Sequence, residues 1–176
     1  MRAFDLQEVP DPKKDANTYA TDRDFCQIFC QHMKDLYLLA LLLTADHHKA
    51  EQCFAASLED CLFGRPIFAE WAERWSRRAI ITNAIQIIAQ RTTLEPSNGE
   101  ADSSHQPTME LGLGRPLDGI AHLAHFERFA VVLSVFERYT VQECSLLLGG
   151  ARADVIRART RALQKLAETH SNTTAA

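Results

Sequence analysis

A chain of 176 residues, 46% hydrophobic and 24% charged, carries enough apolar side chain to bury a core, which excludes wholesale disorder. Only 7 Gly and 6 Pro punctuate it, and long stretches lack both, so helices are expected rather than a strand-and-turn architecture. A net charge of −4 exerts no overall pull toward nucleic acid, so any DNA-binding surface has to come from a local excess of positive charge.

Residues 1–20 are polar, with Pro10, Pro12 and the pair Lys13-Lys14, and read as a loose extension. Thr21 and Asp24 make a capping-box start for a helix over 22–44. Phe25, Ile28, Phe29, Met33, Leu36, Leu39, Ala40 and Leu43 recur there at helical spacing, and Leu38, Leu41 and Leu42 widen the stripe. Asp46 caps a second helix over 47–62, with Ala50, Cys53, Phe54, Ser57, Leu58 and Cys61 inward and Gly64 as its stop. Pro66 suits the first position of a third helix reaching residue 90, with Trp71, Trp75, Ala79, Ile85 and Ile88 among its periodic apolar positions.

Composition changes over residues 92–118, where Pro, Gly, Ser and Asn replace apolar periodicity, and a flexible linker is expected. Phe126, Phe129, Ala130, Leu133 and Phe136 then set a helix over 125–138. Thr140 and Glu143 form a full capping box for a short helix over 141–148, with Cys144, Leu147 and Leu148 inward. Gly149-Gly150 is a tight turn, and a last helix over 152–168 carries Val155, Ala158, Ala162 and Leu166 on one face. The expected class is all-α, with small helical domains at 21–91 and 119–170 joined by the linker 92–118.

The last helix holds the local charge. From residue 152 to 165, Arg152, Arg157, Arg159, Arg161 and Lys165 stand against Asp154 alone, a local +4 that leaves −8 for the rest of the chain. A short capped helix, a glycine turn and a basic amphipathic helix make the helix-turn-helix pattern. The first helix braces the second, whose arginines reach phosphates and guanine edges in the major groove. The plainer alternative is a solvated helix of a small bundle whose arginines serve solubility.

The stretch from Phe126-Glu127-Arg128-Phe129 to Tyr139-Thr140-Val141-Gln142-Glu143 and Leu148-Gly149, with Val155, Arg161-Ala162 and Leu166 beyond it, resembles region four of sigma-70-family transcription initiation factors of the extracytoplasmic-function type. Leu36-Tyr37-Leu38-Leu39-Ala40 to Thr44, followed by Asp46 and Ala50-Glu51, is similar to region two of that group, as is Arg78-Ala79-Ile80-Ile81-Thr82-Asn83. The resemblance covers residues 25–90 and 120–167, in the family's order. It implies a three-helix region-two bundle and a region-four helix-turn-helix. It also implies core RNA polymerase and promoter DNA as partners, with an anti-sigma factor as a further candidate, and no chemistry of its own. DNA-contacting residues carried over are Arg152, Arg157, Arg159, Arg161 and Lys165 for the −35 element, and Arg77, Arg78 and Asn83 for the −10 element, Asn83 equally suiting helix packing. Glu51 and Gln52 fall at the polymerase-docking position. The chain departs from the family where Gln52, Cys53, Phe54, Ala55 and Ala56 replace an acidic, polar face, so a protein-interaction module or a stand-alone helix-turn-helix regulator is the alternative.

Other constellations are weaker. His47-His48 with Glu51, and His122 with His125, lack a metal-binding pattern, and the five cysteines include no CxxC, so no metal or cofactor is expected. No phosphate loop, dinucleotide fingerprint or nucleophile elbow points to an enzyme or a small-molecule substrate. Trp71 is expected in the core, whereas Trp75, beside Arg74, Arg77 and Arg78, suits either the core or a single strand. The longest apolar run, 36–43, is far short of the ~18 residues of a membrane span, and the opening residues are polar, so a cytoplasmic protein is expected.

Overall fold

Capping and periodicity place the helices almost where the sequence puts them. The computed structural model describes residues 18–94 and 115–174, and those residues are helical with no strand among them. Thr21 opens α1 (Asp22–Gln31) with a reciprocal capping box to Asp24, and Asp46 accepts from the Lys49 N–H to open α3 (His47–Phe63). The single helix expected over 22–44 is two. His32, at φ −104° and ψ 20°, leaves the helical region for one residue, and α2 (Met33–Thr44) follows. The break turns Met33, expected inward, out to solvent at 55% exposure.

The third helix also starts later than Pro66 suggests. Residues 18–20 lie antiparallel to 67–69, with Ala20 N–H donating to Ile67 O at 2.7 Å and Ala69 N–H to Thr18 O at 2.9 Å. A 3-10 turn, Ala69–Trp71, leads into α4 (Ala72–Leu94). Trp71 therefore sits out of phase with α4, and the core position expected for it is not realised: it is 54% exposed and packs edge-on against Phe68. Gly64 ends α3, and a side chain does not fit there, since an added Cβ would stand 2.3 Å from the Asp60 carbonyl oxygen.

α2 is the centre of the first group, with α3 and α4 packed on it and α1 packed chiefly on α3 and α4. Leu36, Leu39, Ala40, Leu41, Leu42 and Leu43 are all buried, as its near-continuous apolar sequence demands. Ala50, Cys53, Ser57 and Cys61 of α3 meet Ala79, Ile80, Ile81 and Ala84 of α4. Small residues let these two helices approach closely, and Cys53 Sγ donates to Ile80 O at 3.2 Å. Burial pushes the Cys53 thiol up to about 12 and Cys61 to about 11, so both act as small apolar groups.

The linker expected over 92–118 falls mostly on residues 95–114, outside the described ones; α4 continues to Leu94 and α5 (Arg115–Ala121) begins at Arg115. α6 (His125–Val131) passes into five residues of wider, π-type winding, Val132–Phe136, where Glu137 N–H reaches back to Val132 O at 3.1 Å. α7 (Val141–Leu148) and α8 (Arg152–Thr174) complete the second group, α8 running past the expected end at 168. α5 and α6 also pack on α2, so the two groups of helices touch.

Candidate nucleic-acid interface

Thr140 and Glu143 bond reciprocally at the start of α7: Glu143 Oε2 accepts from the Thr140 N–H at 2.8 Å, and Thr140 Oγ1 accepts from the Glu143 N–H at 3.2 Å. Those bonds hold the Glu143 carboxyl below its usual pKa. α7 ends at Gly149, φ 66°, a left-handed conformation that favours glycine. Ser145 Oγ then donates to Gly150 O at 2.7 Å, and the turn delivers Arg152 to the first position of α8.

Val155, Ala158 and Ala162 are buried, and Leu166 is half-buried, which fixes the inner face of α8. At about 100° per residue, Ala153, Thr160 and Gln164 run down the middle of the outer face, with Arg157 beside them. Arg152 and Arg159 lie toward one side of the helix, with Ile156 between them and the midline, and Arg161 lies toward the other side. Arg152 donates to Gln142 Oε1 of α7 at 2.7 Å. Arg157 pairs with Asp154 one turn back, which holds that carboxyl below its usual range. Arg159 is half-buried and Arg161 exposed, neither with a hydrogen bond or ion pair among the described residues. Lys165 is engaged elsewhere, its ammonium 2.7 Å from Glu127 Oε2 of α6.

The candidate residues of the first group separate sharply. Asn83 is buried: its amide donates to Asp60 Oδ2 at 2.7 Å, Ser57 Oγ at 3.3 Å and Ala79 O at 3.1 Å, so it ties α3 to α4. Arg77 forms a two-pronged pair with Glu137, from Nε at 2.8 Å and from Nη2, and that pairing raises the guanidinium pKa. Arg78 is exposed and lines a cleft of about 430 Å³ with Trp71, Arg74, Trp75, Tyr139 and Glu143. Arg74, Trp75 and Arg78 share one face of α4, and Trp71, in the 3-10 turn before it, lines the same cleft and completes the stripe; Trp75 is 39% exposed. Glu51 and Gln52 are exposed on α3, Gln52 within 3.0 Å of His48 Nε2.

No protein-family model matches this chain, and no curated protein does.

Arg128 escaped the sequence reading as a structural group. It is 1% exposed, with no carboxylate bonded to it among the described residues. Its Nε donates to Leu43 O at 3.0 Å, Nη1 to Ala121 O at 3.3 Å and Leu123 O at 3.4 Å, and Nη2 to Thr44 O at 3.5 Å. Nη2 also lies 2.7 Å from His125 Nδ1, and since a guanidinium only donates, that nitrogen accepts and the ring is neutral. Burial lowers the Arg128 pKa to about 10, leaving it charged. The signal in sequence is phase: Arg128 shares a helix face with the buried Val131 and Val132. Among the described residues no group of His, Cys, Asp and Glu could hold a metal ion, and no helix is long and apolar enough to cross a membrane.

Proposed function

We propose that this chain is a sigma-like transcription initiation factor that binds core RNA polymerase and directs it to promoters, reading the −35 element with α8. The observation that carries the reading is the α7–turn–α8 unit. Its capped first helix, left-handed glycine turn and inward Val155, Ala158 and Ala162 present the N-terminal half of α8 outward, with Arg152 and Arg159 toward one side, Arg161 toward the other and Arg157 near the midline. That spacing suits phosphates on both walls of a major groove, with Arg157 and Thr160 toward the bases. The second support is the stripe of Trp71, Arg74, Trp75 and Arg78, where aromatic faces and guanidinium groups suit an unpaired base and its phosphate at the −10 element. Glu51 and Gln52 on α3 are the proposed polymerase-docking residues.

The test is retention of bacterial core polymerase by the purified protein, followed by transcription from a pool of random promoters. Polymerase retention and a −35/−10 consensus lost in Arg157→Ala/Arg161→Ala support the reading; no retention at low salt refutes it. One observation favours a second reading, a protein-interaction module on the same fold. Asp154, Glu127 and Glu137 already neutralise Arg157, Lys165 and Arg77. Such a module would be insensitive to loss of Arg157 and Arg161, whereas a stand-alone regulator would bind duplex DNA without polymerase.

A further inference from the structure

We infer that the cleft between α4 and the start of α7 binds one free purine nucleoside phosphate, its base among Trp71, Trp75 and Tyr139 and its phosphate on Arg74 and Arg78. The inference rests on the stacking and phosphate reading of the α4 stripe and deepens it. The second group of helices adds a wall, and the stripe becomes a site for a small molecule.

The walls are aromatic. Trp71 and Trp75 come from the first group, and Tyr139, just before α7, faces them from the second. Trp71 touches Phe68, but neither tryptophan has a ring contact with Tyr139 among the described residues. The cleft of about 430 Å³ therefore has room for a further planar ring between its walls, and that volume falls in the ordinary range of small-molecule sites. Burial pushes the Tyr139 hydroxyl up, so the ring stays uncharged at neutral pH and offers its face to a base. Stacking of this kind tolerates any base, and the larger purine ring gains most from two walls.

The charges give the cleft a direction. Arg74 and Arg78 lie one turn apart on α4, and their side chains have no hydrogen bond or ion pair among the described residues. Two unpaired guanidinium groups at that spacing bracket a phosphate, which offers each of them oxygens to accept N–H bonds. The carboxylate lining the cleft is Glu143. Its Oε2 is taken by the Thr140 N–H and hydroxyl, whereas Oε1 has no partner among the described residues. The Thr140 bonds first, then Arg74 and Arg78, hold that carboxyl below its usual pKa, so it is an ionised acceptor. An acceptor opposite two cations suits a molecule with ring or exocyclic N–H donors at one end and an anion at the other. A purine nucleotide has both, with an aromatic ring between them. Inorganic phosphate lacks the donors and the ring, and an uncharged aromatic amine lacks the anion.

The test uses the full chain with neither polymerase nor promoter present. The probe is a purine nucleoside diphosphate whose ribose carries a fluorophore that accepts energy from tryptophan. Both tryptophans of the chain line the cleft, so energy transfer reports binding there. Transfer is expected to saturate below about 1 mM probe at low salt and to be displaced by unlabelled ADP or GDP. Ribose 5-phosphate, which lacks the base, is expected to displace about tenfold less well. Arg74→Gln/Arg78→Gln and Tyr139→Leu are each expected to weaken binding about tenfold, the first through the phosphate and the second through the base. Arg74 and Arg78 are exposed, so the first variant keeps the fold whatever becomes of the second. Arg23→Gln/Lys34→Gln removes the same charge from exposed positions on α1 and α2 and is expected to leave binding unchanged. Transfer that never saturates overturns the site, and so does displacement by ribose 5-phosphate equal to that by ADP and GDP. Undiminished binding by Tyr139→Leu also overturns it, because the base would then lie on the open stripe. Displacement by a single-stranded oligonucleotide but not by ADP or GDP overturns the free nucleotide as the ligand. A chain that retains polymerase and selects promoters but binds no nucleotide sinks this inference alone, and the reverse result sinks the initiation-factor reading alone.

Discussion

At the scale of single residues, Arg128 decides more than its chemistry suggests. Its guanidinium joins carbonyls from α2, from α5 and from the turn before α6, so removing it strands several acceptors in an apolar setting. Arg128→Met, similar in bulk, is expected to lower unfolding free energy by about 2–4 kcal/mol, from unsatisfied carbonyls rather than lost packing. A urea midpoint that stays put would show those carbonyls finding water instead. His125, against the same guanidinium, makes stability depend on pH. Burial, then Arg128 and Lys49, lower its pKa below the usual 6.5, so the folded chain resists a proton that the unfolded chain accepts. The unfolded state therefore binds more protons as pH falls through about 6.5, and stability drops there; above that range the ring is neutral in both states and contributes nothing. The carboxylates held below their usual range, such as Asp46 and Asp154, lose their contribution only at more acid pH. Between pH ~7.5 and ~5.5 the parent should lose more stability than His125→Asn, whose amide oxygen can still accept from Arg128. Equal losses would mean that the ring moves out and titrates freely.

At the scale of elements, helix starts were legible because capping is local. Thr21 with Asp24, Asp46 with Lys49, and Thr140 with Glu143 are each read within four residues, and each is present. Helix ends and internal breaks were less legible. Neither Gly nor Pro marks His32, and the wider winding at Val132–Phe136 interrupts no apolar pattern, so neither leaves a trace in the sequence. Two of the left-handed helix ends, at Gly149 and Ala45, offer a matched test. Gly149 has φ 66° with nothing within 4 Å of an added Cβ, so Gly149→Ala meets only backbone strain. Ala45 has φ 53° at the end of α2 and carries that strain already. Gly149→Ala should cost about 1 kcal/mol and Ala45→Gly should gain a similar or slightly smaller amount, read as opposite shifts of the thermal midpoint. Shifts of the same sign would show that Ala45's methyl packs usefully, outweighing its conformation.

At the scale of the whole molecule, the sequence carried the helical class and the outward arginines of α8, and missed what pairs across the chain. Arg77 and Glu137 are 60 positions apart, and Arg128 and Leu43 are 85 apart, distances at which neither periodicity nor capping speaks. Asn83 was ambiguous for the same reason, since Ser57 and Asp60, which bury it, lie on another helix. These pairings have a thermodynamic consequence. α2 is buried by α3 and α4 on some sides and by α5 and α6 on another, and its terminal carbonyls depend on Arg128. Unfolding the second group would expose α2 and leave those carbonyls bare, so the first group should not outlast it. The expected result is a single thermal transition, with tryptophan emission, which reports the neighbourhood of α4, coinciding with loss of helical circular dichroism from the whole chain. Arg128→Met should separate the two curves, because it removes the tie that makes the groups share one transition. Two separated transitions in the parent chain would instead mean that docking contributes less than the stability of either group alone, and that the halves act as independent modules.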